Sequence, residues 1–378
     1  MKKFLTGALA ALLFAFSLQA QNIVKGSIEG VPAQGSYQPT YSSDGAAYLP
    51  KNIILMIGDG TGLAQIASGY FANNEELTYF NLKHMGWVTT KSATDFTTDS
   101  AASGTAYATG QKTYNYAVGV DVDKRPIPNI PERVIKEGVI SGVVTTDRMT
   151  GATPAAFFAH QPNRGMKDEI WGDLPGSVLR YFAAGDKESF EKAPEATQKA
   201  IKEAFALVYS LDAPEVKTAD KVGVLPPKVE AGYIVDGRTD FLPRATRQAI
   251  DFLNARKQEG KGFVLMGEGA RIDKACHNNE YASAVKELLD FDKAIAEAIR
   301  FADEDGNTLV VISADHETSG LAIWNGDPAK GNVEGVHVSR SHTAIPVPIF
   351  AYGPHAQDFM GVQGNEQVAQ KILKLLER

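Results

Sequence analysis

The chain has 378 residues, 44% of them hydrophobic, with 45 acidic against 38 basic side chains and a formal charge of −7. That is enough apolar material for one large core or two unequal domains. The acidic balance leaves no footprint for a nucleic-acid or anionic-membrane partner, so any affinity for phosphate must come from local chemistry. A lone cysteine, Cys276, excludes an intramolecular disulfide.

The chain opens Met1-Lys2-Lys3, runs apolar from Phe4 to about Leu18 and meets a small residue at Ala20. A basic start, a short apolar run and a small residue predict a signal peptide over 1–20, too short to anchor in a bilayer. Its removal takes away Lys2 and Lys3 and moves the charge from −7 to −9. The expected product is exported, periplasmic or extracellular, with no membrane anchor. Residues 21–50, rich in Gly, Ser, Pro, Tyr and Gln, lack periodicity and read as an arm leading into a catalytic domain over 51–378.

Asn52 to Ile57 is a continuous apolar run, as expected of a strand buried on both faces. It ends in Gly58-Asp59-Gly60-Thr61-Gly62, and a helical pattern follows from Leu63. This turn has neither the dinucleotide spacing nor the P-loop lysine. An acid inside a phosphate cradle would repel phosphate, so Asp59 fits better as a metal ligand at a strand's carboxyl end. Next, Thr98-Asp99-Ser100-Ala101-Ala102-Ser103 runs from a loop into a helix. By itself Ser100 reads as an N-cap. The same place also suits a nucleophile, because helix N–H groups and the dipole favour an anion there. Such a serine still needs a base or a metal to activate it.

Further strands are predicted at Val139–Thr145, Phe263–Met266, Leu309–Ile312 and Val347–Tyr352. An amphipathic helix between Phe263–Met266 and Leu309–Ile312 presents Val285, Leu288, Phe291, Ile295 and Ile299. The fold class expected is α/β, a central, largely parallel sheet with helices on both faces. Residues 166–260 are more polar, mostly helical in pattern and without reactive clusters. They read as a helical insertion that covers or flanks the active site.

Asp273 and His277, four apart, share one helical face, a spacing that suits zinc or an ordinary solvated pair. Asp315-His316 follows a strand, and His342 stands just ahead of another. Each alone is what a surface loop supplies. Their occurrence at successive strand ends is what points to a metal centre.

These residues resemble those of the bacterial alkaline phosphatases. The resemblance is carried by Ile57-Gly58-Asp59-Gly60, Asp99-Ser100-Ala101-Ala102-Ser103, Ala152-Thr153-Pro154-Ala155, Asn163-Arg164, Glu268-Gly269-Ala270-Arg271-Ile272-Asp273-Lys274 with His277, Ala314-Asp315-His316-Glu317 and His342-Thr343, in the family's order. It implies that Ser100 becomes phosphorylated, that Asp273, His277 and His342 hold one zinc, and that Asp59, Asp315 and His316 hold a second. Two such ions stabilise the attacking and leaving oxygens of an in-line displacement. It further implies that Arg164 grips the phosphoryl group, steadied by Asp99. A third site, for magnesium, would use Asp59, Thr153 and Glu268. The implied substrates are small phosphate monoesters, and relatives are commonly homodimers.

One departure stands out. Two residues before Thr153 the family commonly has Asp or His, whereas this chain has Gly151. The expectation is weaker magnesium binding, and a Lys274 that lacks its usual acidic partner. Cys276 is expected to be structural, and His84, His160, His337 and His355 ordinary. The rivals are a phosphodiesterase or sulfatase on the same platform, or an exported phosphate- or metal-binding protein without turnover. Related diesterases commonly use threonine as nucleophile, and no Cys/Ser-x-Pro-x-Arg sulfatase motif is present.

Overall fold

Alternate residues of the apolar runs pack to opposite sides of one sheet, as the two-residue strand period requires. Ile53, Leu55 and Ile57 enter one core with Val143, Val264, Met266 and Val311. Ile54 and Met56 enter the other with Val144, Leu265, Val310 and Ile312. The computed structural model describes residues 23–185, 187–227 and 232–377. The predicted signal peptide lies outside them.

The sheet has ten strands in the order Gly361–Gly364, His84–Thr89, Val347–Tyr352, Thr308–Ser313, Asn52–Gly58, Phe263–Gly269, Ile140–Arg148, Leu179–Gly185, Val222–Val224 and Ala206–Val208. Val347–Tyr352 runs antiparallel to both its neighbours. Every other pairing is parallel. Helices Ser100–Thr109, Lys167–Asp173 and Asn365–Leu376 cover one face. Leu63–Ala72, Phe241–Arg256 and Tyr281–Asp305 cover the other. The last is the expected amphipathic helix. Its Phe291 is wholly buried, so truncation to alanine would cost about 3–5 kcal/mol.

Two stretches differ from expectation. In the supposed arm, Val24–Ile28 pairs antiparallel with Asn332–His337, which in turn pairs with Ala322–Asp327 in a small three-stranded sheet. Residues 166–260 hold helices, as expected, but also give the main sheet three strands, Leu179–Gly185, Ala206–Val208 and Val222–Val224. The first is interrupted by Arg180 and is all alanine and glycine beyond Phe182, and the other two have three residues each. The last two are too short to show a strand period, and the first has too few large apolar residues to show one clearly.

A two-residue ladder matters out of proportion to its size. Glu317–Thr318 pairs antiparallel with His342–Thr343, setting Thr318 opposite His342. The loop that carries His342 is thereby fastened beside His316.

Candidate active site

Strand register gathers the acids. Ile57 lies between Glu268 on one neighbour and Ser313 on the other, and Glu268 lies opposite Thr145. Asp59, Asp315, Glu268 and Asp147 therefore leave one carboxyl edge of the sheet, where open α/β sheets place their sites. Gly60 makes the turn possible, with φ +71°. A Cβ there would lie 2.8 Å from both Asp273 Cα and Thr318 Oγ1, so only glycine lets the loop approach the helix Arg271–Asn278.

Donor atoms of Asp59, Asp315 and His316 lie within 4.8 Å of one another, and so do those of Asp273, His316 and His342. His277 joins the second group, with Nε2 at 3.0 Å from His342 Nε2 and 3.3 Å from Asp273 Oδ1. His342 Nε2 is 3.6 Å from the same oxygen. The ring orientations are fixed from behind. His342 Nδ1 donates to the Thr98 carbonyl at 2.9 Å, and His277 Nδ1 to the Arg340 carbonyl at 2.6 Å. Each neutral ring so held turns an Nε2 lone pair toward the other and toward a carboxylate, a repulsive arrangement unless a cation lies between them. Thr318 Oγ1 donates to Asp273 Oδ1 at 2.5 Å.

The charges reflect this crowding. Burial raises Asp59 well above the ordinary carboxylate range, and Asp315, Asp273 and Glu268 push it further. Burial also opposes ionisation of Asp315, but His316 and the Gly60 N–H outweigh it and hold the carboxyl at about 2. Burial lowers His342, and the neighbouring His316 adds to the effect.

Ser100 begins its helix, and the N-cap is Asp99, whose Oδ1 accepts from Ala102 N–H at 3.0 Å. The serine is thus free of capping duty, and its Oγ lies 3.3 Å from His316 Nε2. Asp99 does more. Oδ1 also accepts from Tyr116 N–H at 3.0 Å, and Oδ2 takes Arg164 Nη1 at 3.1 Å. The Arg164 N–H donates to the Tyr116 carbonyl at 2.7 Å. One carboxylate therefore links the serine helix to the arginine.

Glu268 is buried, and burial followed by the nearby Asp147 raises it to about 8. Thr145 Oγ1 donates to it. Thr153 Oγ1 lies close enough to lower Glu268, yet makes no hydrogen bond of proper geometry, and Asp59 Oδ1 is likewise buried without one. Lys274 does have an acidic partner, contrary to expectation, for its Nζ is ion-paired with Asp147 Oδ1. The acid comes from a position four residues before Gly151, on the strand and not on the helix.

The model of the family Alkaline phosphatase matches residues 50–187 and 234–334. The chain belongs to the alkaline phosphatase family. It is similar to alkaline phosphatase 4 of Bacillus subtilis, at 31% identity over 86% of this chain and 89% of that one. It is also similar to the alkaline phosphatase of Escherichia coli, at 29% identity over 82% and 83%. The solved alkaline phosphatase of the Antarctic bacterium TAB5 superposes with a TM-score of 0.82 at 35% identity, covering 88% of this chain and 99% of that one. A histidine-to-glutamate variant of the TAB5 enzyme has magnesium bound in its M3 site.

This alkaline phosphatase is an enzyme acting on phosphate esters, and its family and its donor groups both point to metal cofactors. Among the described residues no helix is long and apolar enough to cross a membrane. Several supporting residues went unread in the sequence. Glu317 accepts from Gln65 Nε2 and the Leu321 N–H, and also from the Thr343 hydroxyl. It ties together the loops on either side of His316 and His342. Cys276 is fully buried, and burial followed by Asp273 pushes its thiol up to about 12, away from thiolate chemistry. His84 and His355 pair with Asp44 and Asp358, His337 with Ser319, and His160 with Glu132.

Proposed function

We propose that this phosphatase hydrolyses phosphate monoesters at a two-zinc centre through a phosphoserine intermediate. The observation that carries the reading is the convergence of three histidine Nε2 atoms and the carboxylates Asp59, Asp273 and Asp315 on the space beside Ser100 Oγ. Asp273, His277 and His342 would hold one ion and Asp59, Asp315 and His316 the other, a nitrogen and carboxylate set that suits zinc. Such a pair of ions supplies positive charge to both the attacking and the leaving oxygen of an in-line displacement.

The chain's own residues do the rest. Ser100 Oγ attacks phosphorus and expels the alcohol, and water then cleaves phosphoserine from the opposite side. Two displacements predict retained configuration. Arg164 offers a planar fork to the phosphoryl oxygens, held by Asp99 in the orientation that the helix cap dictates. Asp59, Thr153 and Glu268 would hold magnesium with hard oxygen donors, and Asp59 Oδ1 and Thr153 Oγ1, buried without a hydrogen bond, fit that use. Lys274 would lie behind the phosphate as an orienting cation. Export through the 1–20 segment would deliver the enzyme to the periplasm or beyond, and a homodimer is the assembly the family suggests.

The test is acid trapping. Phosphate should become covalently attached to Ser100 at acidic pH, and Ser100→Ala should lose it while keeping two zinc per chain. That variant should hydrolyse p-nitrophenyl phosphate at least about 10³-fold more slowly. A wild-type preference for bis(p-nitrophenyl) phosphate would replace the monoesterase reading with a diesterase. Two zinc with no turnover on either ester would make it a binding protein.

A further inference from the structure

The glycine at 151 is not required by its backbone, whose φ of −59° and ψ of 153° any residue adopts. What it permits is a close neighbour. A Cβ at Gly151 would lie 2.5 Å from Asp147 Oδ2 and 3.0 Å from Asp147 Cγ. The Asp147 carboxylate therefore stands where a side chain on residue 151 would begin.

Two contacts hold it there. The Asp147 N–H donates to Thr145 Oγ1 at 2.8 Å, the same hydroxyl that donates to Glu268. Asp147 Oδ1 is ion-paired with Lys274. Oδ2 faces the Gly151 gap, and Gly151 caps the short helix that carries Thr153. The charged groups acting on Asp147 are Lys274 and Arg271, and Asp147 in turn acts on Glu268.

We infer that Asp147 is a positioning residue of the third metal site, supplying from the strand end the carboxylate that residue 151 lacks. This rests on the reading of Asp59, Thr153 and Glu268 as that site. A divalent cation of the magnesium class would then be held by Asp59, Glu268 and Thr153, with the Asp147 carboxylate set behind them and paired to Lys274. Magnesium affinity is accordingly governed by Asp147 and not forfeited at Gly151. Gly151→Asp alone sets two carboxylates in the space of one, and it gains nothing unless Asp147 is removed.

The experiment titrates magnesium into the zinc-loaded protein by calorimetry and follows its thermal midpoint against magnesium concentration. Asp147→Asn should weaken magnesium binding by about 10–100-fold with zinc content unchanged. Asp147→Ala combined with Gly151→Asp should recover most of that affinity, which a purely structural role for Asp147 would not allow. An Asp147→Asn protein within about twofold of wild-type affinity overturns the assignment. So does a double variant no better than Asp147→Asn. Glu268→Gln separates the two ideas. If it abolishes magnesium binding while Asp147→Asn does not, the third site stands and only Asp147 falls. If neither variant changes the affinity, or wild type binds no magnesium, both fall.

Discussion

Glu287 and Asp290 are buried against a guanidinium, whereas Asp59, Asp273 and Asp315 are buried against imidazoles. In the first cluster Arg238, itself wholly buried, donates to Glu287 at 2.6 Å, to Asp290 at 2.7 Å and to the Gly232 carbonyl at 2.8 Å. Burial still lifts Asp290 to about 6, because one arginine serves two acids. In the second cluster the ion-pair neighbours among the described residues are histidines. Two of their rings donate Nδ1–H to backbone carbonyls, which in the neutral ring turns the Nε2 lone pair toward the acids. The fold can bring an arginine to buried carboxylates where they serve packing. To Asp59, Asp273 and Asp315 it brings no arginine ion pair among the described residues, and the histidines leave charge there for an ion from solution to balance.

The comparison breaks most visibly under chelation. Stripping the metals should reduce turnover by more than about 10³-fold, equivalent to roughly 4 kcal/mol of barrier, and should lower the thermal midpoint. An apoprotein as active and as stable as the holoenzyme would mean the second cluster is compensated from within. Arg238→Met is the converse experiment. It strands Glu287 and Asp290 and should cost about 3–5 kcal/mol in urea unfolding with metal content unaltered. Adding Glu287→Gln and Asp290→Asn should return much of the loss. If the single variant is as stable as wild type, the arginine is not what makes that burial tolerable. His277→Ala should come next, weakening one zinc by about 10–100-fold. Equilibrium dialysis would detect the drop, and an unchanged count of two would remove His277 from the ligand set.

The site was more legible than the sheet edges, for physical reasons. Asp59 and Asp315 each follow a long apolar run, so the rule that sites lie at strand ends finds them without a structure. Asp147 obeys the same rule, two residues beyond the run Val139–Thr145, but no motif of the family includes it. The central strands are buried on both faces and read as continuous apolar segments. Val222–Val224 and Ala206–Val208 are too short to carry a period, and Gly361–Gly364 contains two glycines in four residues. Their strand character comes from the neighbours they pair with, as sheet propensity usually does. Glu317 was invisible for another reason. Its role depends on loops 26 residues apart in sequence meeting at a two-residue ladder.

The smallest effect belongs to an acid and a base that are neither sealed in nor left open. His160 Nε2 lies 2.9 Å from Glu132 Oε1, with side chains about a fifth and a third exposed. Burial lowers His160, but the Glu132 hydrogen bond and the Gly119 carbonyl outweigh it and raise it above its ordinary 6.5. Its contribution to stability is therefore complete below about pH 6.5 and is lost as pH rises through the folded value. Burial likewise raises Glu132, but His160 and the Asn129 N–H bring it below its ordinary 4.5. That contribution is complete above about pH 4.5 and is lost as pH falls through the folded value. Glu132→Gln can keep the helix-capping contact to Asn129, so it isolates the ion pair. The stability gap from wild type should be about 0.2–1 kcal/mol, widest between pH 4.5 and 6.5 and smaller at about pH 9. Urea midpoints at about pH 5.5 and about pH 9 would measure it. A gap of the same size at both pH values would mean the contact acts as a neutral hydrogen bond, in which case partial exposure has removed its charge dependence altogether.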